Sequence, residues 1–256
     1  MVTLLAPPAA FAAAEVHRFN LVLSGTPTQV NAGEFNNGIG YYNGTKISPR
    51  GLDPLPKVTF SWLFDSEFRY FLMKNLALSA GVGHMRATSA REYLPALAQA
   101  INVSATLITV PVHLGAAYYL QAYNQGDFQA RAFVGAGLES YTHSRTTFTQ
   151  TLSGADSATT YQLSGSFRHT NTQDGSGYYA EAGVHMFFSS RYSVLLSALY
   201  RSGELNGLVD ESTGLPVDPR TVDPLTGLPR SNPRVDKPTG LDVGGVGFRM
   251  AVVLGL

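Results

Sequence analysis

Two kinds of side chain alternate in the stretch LDVGGVGFRMAVVLGL, which occupies Leu241–Leu256. From Val246 to the end, every second residue is apolar and mostly bulky. The positions between them hold glycine or another small or apolar residue, apart from Arg249. Strict alternation over this length predicts a β-strand with two different faces. One face is apolar and bulky, whereas the other is small and carries a single charge.

The same difference between a bulky and a small face recurs in about seven earlier segments. Very short connections alternate with long ones along the chain, which puts both chain ends and the short turns at one end of the predicted sheet. The predicted strands are 16–25, 58–73, 76–83, 106–121, 128–139, 178–188, 192–203 and 241–256. The short turns are 74–75, 124–127 and 189–191, and the long connections are 26–57, 93–103, 141–176 and 205–240.

Three of the long connections carry a further expectation. Residues 94–101 are a candidate helical turn, and the Thr/Ser-rich segment 141–176 is expected to continue its hairpin. In 205–240, TGLPVDPRTVD at 213–223 is echoed by TGLPRSNPRVD at 226–236. Because proline lacks the amide proton and disrupts regular elements, this repeat predicts an extended loop without regular strand or helix.

Side-chain volume decides which face points inward. An eight-stranded barrel encloses just enough room for side chains. The bulky set, which includes Trp62, Phe64 and Phe248, does not fit there, whereas the glycine-rich set does. The expected fold is therefore an all-β, eight-stranded antiparallel up-and-down transmembrane β-barrel, with long loops on one side and short turns on the other. A soluble, lipocalin-like barrel is the alternative, and it requires the reverse arrangement of the two faces.

Composition agrees with a barrel in a membrane and excludes several functions. Charged residues make up 14% of the chain, against about 25% in ordinary soluble domains. Eighteen basic residues balance eighteen acidic ones, so no nucleic acid partner is expected. The absence of cysteine excludes disulfides, thiol catalysis and thiolate metal sites.

The first fourteen residues differ from the rest. The segment MVTLLAPPAAFAAA is apolar and ends in small residues before Glu15, as the end of a secretory signal peptide does, although no Lys or Arg precedes it. We therefore expect residues 1–14 to be a signal-peptide remnant and 15–256 to form a single outer-membrane β-barrel domain.

The charges on the small face are expected to neutralise one another in the lumen, because an unpaired charge there is costly. Five arginines oppose four carboxylates, accompanied by two histidines, and Glu67 or Glu181 is the expected partner of Arg249. This structural network comprises Arg18, Asp65, Glu67, Arg69, His113, Arg131, Glu139, Glu181, His185, Arg201 and Arg249.

Three segments carry a family resemblance: SEFRYFLMKNLALSAGVG at 66–83, TVPVHLGAAYYL at 109–120 and YYAEAGVHMFF at 178–188. They resemble small bacterial outer-membrane β-barrel proteins, the OmpA-barrel and OmpW-like group. Leu256 stands where that family has a terminal aromatic residue. The resemblance implies the outer membrane of a Gram-negative bacterium, with periplasmic termini, extracellular long loops, and contact with outer-membrane lipid and lipopolysaccharide.

The sequence predicts no catalytic residue, no cofactor and no metal site. The six histidines show no HExxH spacing, and the His-x-Ser arrangement of the lipid A deacylases is absent because His143 and Ser144 are adjacent. Pairs such as Gly81 and Gly83 lack the third glycine of a phosphate-binding loop. Aspartates after residue 209 lack the spacing of an EF-hand.

These observations favour a non-enzymatic outer-membrane barrel that acts in envelope structure or in partner or ligand binding. The loops 26–57, 141–176 and 205–240 are the expected binding elements for a protein partner. Two alternatives remain open, namely passage of small apolar solutes through the barrel wall and a lipid-active barrel enzyme.

Overall fold

Eight strands close into an antiparallel barrel in the computed structural model of the chain. The structure describes residues 17–93, 99–125, 128–154, 161–169, 175–188, 191–205, 208–210, 217–222, 229–231 and 241–256. The wall strands are β1 (Phe19–Gln29), β2 (Phe60–Met73), β3 (Leu76–Tyr93), β4 (Gln99–Tyr119), β6 (Phe128–Gly154), β8 (Gly175–Phe187), β9 (Tyr192–Leu205) and β14 (Gly245–Gly255). Shorter strands are β5 (Tyr123–Gln125), β7 (Tyr161–His169), β10 (Leu208–Asp210), β11 (Val217–Val222), β12 (Pro229–Ser231) and β13 (Leu241–Asp242).

The barrel closes because the first wall strand pairs with the last one. Leu23 of β1 lies opposite Ser66 of β2 on one side and opposite Val252 of β14 on the other. The remaining pairs follow chain order around the wall, and β6 joins β8 along its first half. This closed antiparallel barrel confirms the predicted fold class. We call its two ends the short-turn end, which contains 74–75, and the long-loop end.

Alternation divides the side chains as the sequence predicts. Phe64 and Phe68 point outward and are about 60% exposed, whereas their neighbours on β2 are buried in the lumen. The narrow interior requires glycine at some positions. A β-carbon added to Gly137 would lie 2.5 Å from both the Leu114 carbonyl oxygen and the Tyr179 ring.

Strand β6 changes partner at a bulge. Its first half pairs with β8, and its second half pairs with β7 from Arg145 onward. Between them His143 adopts a φ of 51°, and the register with β4 shifts between Ile108 and Val110. A bulge bends a strand, so it lets β6 leave the wall and continue as the hairpin that the sequence predicts for 141–176.

The first long connection, expected as a loop, is partly helical, and its apolar side chains are buried while many of its other residues are exposed. Strand β1 extends to Gln29, and the connection then forms helix α1 (Gly33–Tyr42), one π-helical turn (Asn43–Ile47) and one 3₁₀ turn (Ser48–Arg50). Gly51, at a φ of 67°, ends the series. No helix among the described residues is long and apolar enough to cross a membrane.

Apolar side chains of residues 30–58, which we call the cap, bury themselves in the long-loop end of the barrel. Ile39, Tyr42 and Ile47 form one core with wall residues that include Met85 and Leu107. Burial raises the pKa of Tyr42 to about 12, with a smaller contribution from Tyr93, so this phenol is neutral in the core.

Two asparagine side chains fix the return of the cap toward β2. The Asn36 amide donates to the Val58 carbonyl and accepts from the Val58 N–H, both at 2.7 Å. Asn43 makes the same reciprocal pair with Leu55, at 2.9 and 2.8 Å. Each amide thus replaces the strand partner that this backbone lacks. Asn31 also ties the cap to the closing segment, through Asp242 at 2.8 Å and the Gly244 carbonyl at 2.9 Å.

Two expectations about the other connections were wrong. Of residues 94–101, expected as a helical turn, 99–101 belong to β4, where all three pair with β6 and Ile101 also pairs with β3, whereas 94–98 lie outside the described residues. Within 205–240, Val217–Val222 and Pro229–Ser231 form a separate two-stranded sheet. Its pairing is interrupted between Val217 and Val222, where Pro219 needs no ladder hydrogen bond. The expected signal-peptide remnant, 1–14, lies outside the described residues.

Candidate functional site

Charged residues from three strands meet in the middle of the lumen. Alternation along β2 turns Asp65, Glu67 and Arg69 inward together, because they are two residues apart. Strand β8 contributes Glu181 and β14 contributes Arg249, and all five are buried. We call these five residues the lumen network.

Arg69 uses all three of its guanidinium nitrogens. Its Nε donates to Glu67 Oε1 at 2.8 Å, and its Nη2 donates to Glu181 Oε1 at 2.9 Å. Its Nη1 donates to the Tyr119 hydroxyl at 2.7 Å. Because a planar guanidinium presents its donors in fixed directions, one side chain connects strands β2, β4 and β8.

Arg249 completes the network from the other side. It donates to Asp65 Oδ2 at 2.9 Å, to Glu67 Oε2 at 3.0 Å and to Glu181 Oε2 at 3.3 Å. Its Nε also donates to the Ser24 hydroxyl of β1 at 3.1 Å. Both carboxylates that the sequence offered as partners, Glu67 and Glu181, are therefore in contact with Arg249, and Asp65 is a third partner.

His113 of β4 lies between two carboxylates of the network. Its Nε2 is 3.3 Å from Glu67 Oε2, and its Nδ1 is 3.6 Å from Asp65 Oδ1. A cavity of about 20 Å³ adjoins these groups, which is room for about one water molecule.

The same three side chains bring potential metal ligands within 4.8 Å of one another. Asp65 Oδ1 and His113 Nε2 have no hydrogen-bond partner, but Glu67 accepts from both guanidiniums. A cation entering here would have to displace an arginine from Glu67, so the donor set favours guanidinium over a metal ion.

A second group lies nearer the short-turn end. His185 Nε2 is 2.7 Å from the Ser193 hydroxyl, and His185 Nδ1 is 3.2 Å from the Tyr119 hydroxyl. The Arg131 guanidinium stacks over the Tyr119 ring at 5.1 Å, and its Nε lacks a hydrogen-bond partner. Here an aromatic face, instead of a carboxylate, compensates the buried cation.

Arg201 and Glu139 lie nearer the long-loop end, beneath the cap. Arg201 is 1% exposed and donates from Nη2 to Met85 Sδ at 3.2 Å, whereas its Nε and Nη1 have no partner. Glu139 accepts a short hydrogen bond from the Tyr141 hydroxyl. The two charges have opposite sign, but no ion pair joins them among the described contacts.

Ten of the eleven predicted network residues are buried in the barrel, and Arg18 is not. Arg18 is exposed and precedes Phe19, the first residue of β1, so the alternating pattern does not apply to it. Without Arg18, four buried arginines face four buried carboxylates, where the sequence suggested five against four. The described lumen is therefore balanced in formal charge when its two histidines are neutral.

Three tyrosines complete the lumen and were absent from the predicted network. The Tyr119 hydroxyl accepts from Arg69, and the Tyr141 hydroxyl donates to Glu139. The Tyr179 hydroxyl lies 3.2 Å from that of Ser79. The alternating pattern assigns Tyr119 and Tyr179 to the inner face, so their position, though not their partners, could be read from the sequence.

Comparisons with known proteins give similarity in fold only. No protein-family model matches the chain, and no curated protein is similar to it at a significant level. Among solved structures, the N-terminal β-barrel domain of Pseudomonas aeruginosa OprF is 12% identical, with a TM-score of 0.34 over 94% of this chain and 98% of that chain. Ail of Yersinia pestis, the attachment invasion locus protein, is 11% identical, with a TM-score of 0.30 over 94% and 98%. The outer membrane protease OmpT of Escherichia coli is 8% identical, with a TM-score of 0.26 over 93% and 96%.

Proposed function

We propose that this chain is a non-enzymatic, non-conducting β-barrel of the bacterial outer membrane, which acts through its long-loop end in envelope structure or partner binding. The observation that carries the proposal is an apolar outer wall around a lumen whose middle is filled by the paired charges of the lumen network. The outer wall supplies a surface for lipid, and the filled lumen leaves little room for transport.

The outer wall has the height and the borders that a membrane requires. The aromatic residues Tyr178, on β8, and Phe188, directly after its last residue, lie ten residues apart and are both about half exposed. Ten residues span about 34 Å along a strand, or about 26 Å along the barrel axis at a tilt of about 40°. An outer-membrane barrel carries an apolar band about 25 Å tall with aromatic girdles at both borders.

Aromatic pairs support the same two borders on other strands. Near the short-turn end, the rings of Phe19 and Tyr70 lie 4.6 Å apart, and those of Phe128 and Phe188 lie 5.6 Å apart. Near the long-loop end, Trp62 stacks on Phe64 at 6.0 Å. Since barrels of this kind have short periplasmic turns and longer extracellular loops, we assign the short-turn end and both termini to the periplasm.

Two layers oppose conduction. The lumen network joins β2, β8 and β14 and reaches β1 through Ser24 and β4 through Tyr119, and the cap packs over the long-loop end with an apolar core. We expect full-length protein in planar bilayers to give no porin-sized conductance. A steady open channel in wild-type protein would contradict this part of the proposal and would favour the passage of small solutes.

The two-stranded sheet β11–β12 is the proposed contact for a protein partner. It belongs to no barrel sheet, so its removal leaves every wall strand paired. Deletion of 211–238 should therefore preserve insertion and heat-resistant folding on gels, while abolishing recovery of any partner that co-purifies with the full-length chain. Retention of that partner by the deleted form would direct attention to the cap or to 141–176.

The lipid-active enzyme is the competing function, and one contact favours it. Ser193 and His185 are at the distance of a nucleophile and its base. Both side chains are buried, and the third group is Tyr119 instead of a carboxylate. We expect purified protein to hydrolyse no phospholipid or lipid A. Hydrolysis that disappears in Ser193→Ala would replace our proposal by the enzymatic one.

A further inference from the structure

A protruding aromatic surface lies on one side of the outer wall, at the long-loop border of the apolar band. Phe60 and Trp62 of β2 point outward and are about half exposed, and their rings lie edge to face at 6.2 Å. Arg86 of β3 is exposed and lies opposite Trp62 in the register. Its guanidinium forms no ion pair or hydrogen bond with a described residue. We call Phe60, Trp62 and Arg86 the Trp62 face.

A recessed surface lies on the other side of the barrel. There an open depression of about 780 Å³ is lined by residues of β6, β8 and β9. The outward side chains of Ser176 and Ser202 are small, so they leave this space open between the larger Leu138 and Tyr178. Glu204, two residues after Ser202, is exposed beside the depression. We call the depression together with Glu204 the Glu204 face.

Glu204 carries the free negative charge of its face. Asp242, which lies opposite it on β13, accepts from the Asn31 amide at 2.8 Å and from the Gly244 N–H at 2.7 Å. The Glu204 carboxylate has no ion pair or hydrogen bond with a described residue. Arg86 and Glu204 are thus exposed charges of opposite sign on two separate faces of one chain.

The two faces lie on opposite sides of the wall and at a similar height. The Trp62 face occupies β2 and β3, and the Glu204 face is centred on β8 and β9, which is four strands, or half of the wall, further round. Arg86 is ten residues beyond Leu76, and Glu204 is twelve beyond Tyr192, the first residues of their strands after the short turns. At about 2.6 Å of height per residue on a tilted strand, the charges lie about 26 and 31 Å from the short-turn end. A flexible arginine side chain can bridge the difference.

We propose that a second copy of this chain is the partner of both faces, so that the Trp62 face of one copy docks on the Glu204 face of the next. Arg86 then pairs with Glu204, and the ring of Trp62 enters the depression. The two faces are complementary in shape and in charge, and each copy carries both. This inference rests on the proposed function and deepens it, because it gives the envelope role a partner.

The position of the faces determines the form of the assembly. Because the two faces differ, the contact is heterologous, and faces on opposite sides of a barrel do not close a dimer. Copies therefore add in an open row within the membrane plane. Since both faces lie at the long-loop border, every copy in the row keeps its long-loop end on the same side of the membrane.

The ion pair provides the specificity of the contact. Lipid tails are as apolar as an aromatic ring, so the ring gains little from leaving lipid, and association depends on close packing and on polar contacts. Two like charges that are brought together at an interface cost several kcal/mol. Reversal of either charge should therefore weaken association at least about tenfold.

The first test counts copies of the full chain, with one fluorophore per copy, in phosphatidylcholine vesicles by stepwise photobleaching. We expect the wild type to form clusters of variable size, as open rows do. Arg86→Glu and Glu204→Arg should each give mainly single copies. Arg18→Glu reverses an exposed cation near the short-turn end and should leave the clusters unchanged. Heat-resistant migration on gels confirms that each variant is folded.

Two combinations of these variants restore the pair. Arg86→Glu together with Glu204→Arg in one chain only exchanges the two charges, so this double variant should form clusters like the wild type. An equal mixture of the two single variants should also form clusters, because each variant then meets an opposite charge on the other. Loss of clusters through misfolding would not be reversed in either combination.

Crosslinking distinguishes this contact from a symmetric one. The chain has no cysteine, so Thr88→Cys and Ser202→Cys each introduce a single thiol at an outward position, one beside each face. A bifunctional thiol reagent should join the two variants to each other when they are mixed. It should join neither variant to itself.

Four outcomes would overturn the rows. They are single copies in the wild type, single copies in the double charge variant, an equal loss in Arg18→Glu, and crosslinking of either cysteine variant to itself. A chain that inserts and folds but stays as single copies refutes only the rows. A chain that fails to insert into vesicles, or that conducts in a planar bilayer, refutes the proposed function itself.

Discussion

Replacing Arg249 by methionine should remove the central cation of the lumen network while keeping most of the side-chain volume. Arg249 donates to Asp65, Glu67 and Glu181, and to the Ser24 hydroxyl. The three carboxylates differ in the partners that remain to them after this substitution. Glu67 and Glu181 keep Arg69 as a partner, at 2.8 and 2.9 Å. Asp65 keeps only His113, at 3.6 Å.

Asp65 therefore becomes a buried carboxylate without a guanidinium. Breaking one partner from a buried ion pair costs about 3–5 kcal/mol. We expect the free energy of unfolding to fall by about that amount, which is a large part of the 5–15 kcal/mol typical of a folded domain.

Urea unfolding from phospholipid vesicles measures this loss. Trp62 is the only tryptophan and lies on the outer wall, so its emission reports when the wall leaves lipid. Arg18→Met is the matched control, because Arg18 is exposed outside the barrel. Adding Asp65→Asn to Arg249→Met removes the unpaired charge and should restore at least about half of the loss.

A loss of less than about 0.5 kcal/mol in Arg249→Met, the range of an ordinary surface substitution, would refute the expected cost of an unpaired Asp65. Such a result would mean that water reaches the network and screens its charges. A water-filled, conducting lumen would then explain the protein better than a closed one.

Three other substitutions test the faces, the cap and the packing of the lumen. Val252→Arg on the outer wall should cost about 2–4 kcal/mol of stability near the membrane midplane. Ser197→Ala in the lumen should cost less than about 1 kcal/mol, because the Ser197 hydroxyl donates to Glu181 at a distance of 3.4 Å. Equal losses in urea unfolding would mean that the faces are misassigned. Ile39→Asp buries an unpaired carboxylate in the cap, so limited proteolysis should cut within 33–50 while the barrel stays intact, and continued protection would contradict the cap. Gly203→Val should reduce the folded yield on heat-modifiability gels because its side chain meets the Tyr141 ring, whereas Gly33→Ala, which has open space, should fold normally.

Alternation predicted the wall because the period of two is a property of the extended backbone itself. Asp65, Glu67 and Arg69 had to share the face opposite Phe64 and Phe68, whatever their partners were. The same rule fails at Arg18, because the strand begins one residue later. Faces can therefore be read locally, provided that the strand ends are known.

The alternating pattern could not predict which lumen side chains contact one another. The contact between Arg249 and Asp65 joins residues 184 positions apart, and it depends on how far each strand is staggered around the barrel. Sequence alternation carries no information about that stagger. Tyr119 illustrates the point, since its inward position was predicted but its role as acceptor for Arg69 was not.

The cap was missed because its apolar residues are sparse. Ile39, Tyr42 and Ile47 stand among glycines and asparagines that indicate a loop. They become a core only when Met85 and Leu107 at the barrel mouth supply the other half. The proline-rich repeat was expected to contain no strand, yet Pro219 lies within β11. A short strand pair that is interrupted by a bulge tolerates proline, which a continuous ladder of hydrogen bonds excludes.

The contacts of Asn31 with Asp242 and Gly244 impose an order on biogenesis. They join the first connection to the segment just before the last strand, across 211 residues in the case of Asp242, so no nascent or partly inserted chain can form them. Contacts of such long sequence separation are the slowest to form. The bond between the cap and the closing segment can therefore form only once β14 has paired with β1, after the cap has had its partners on β3 and β4 available. A barrel that has not yet closed its seam consequently holds its cap without this last pair of contacts.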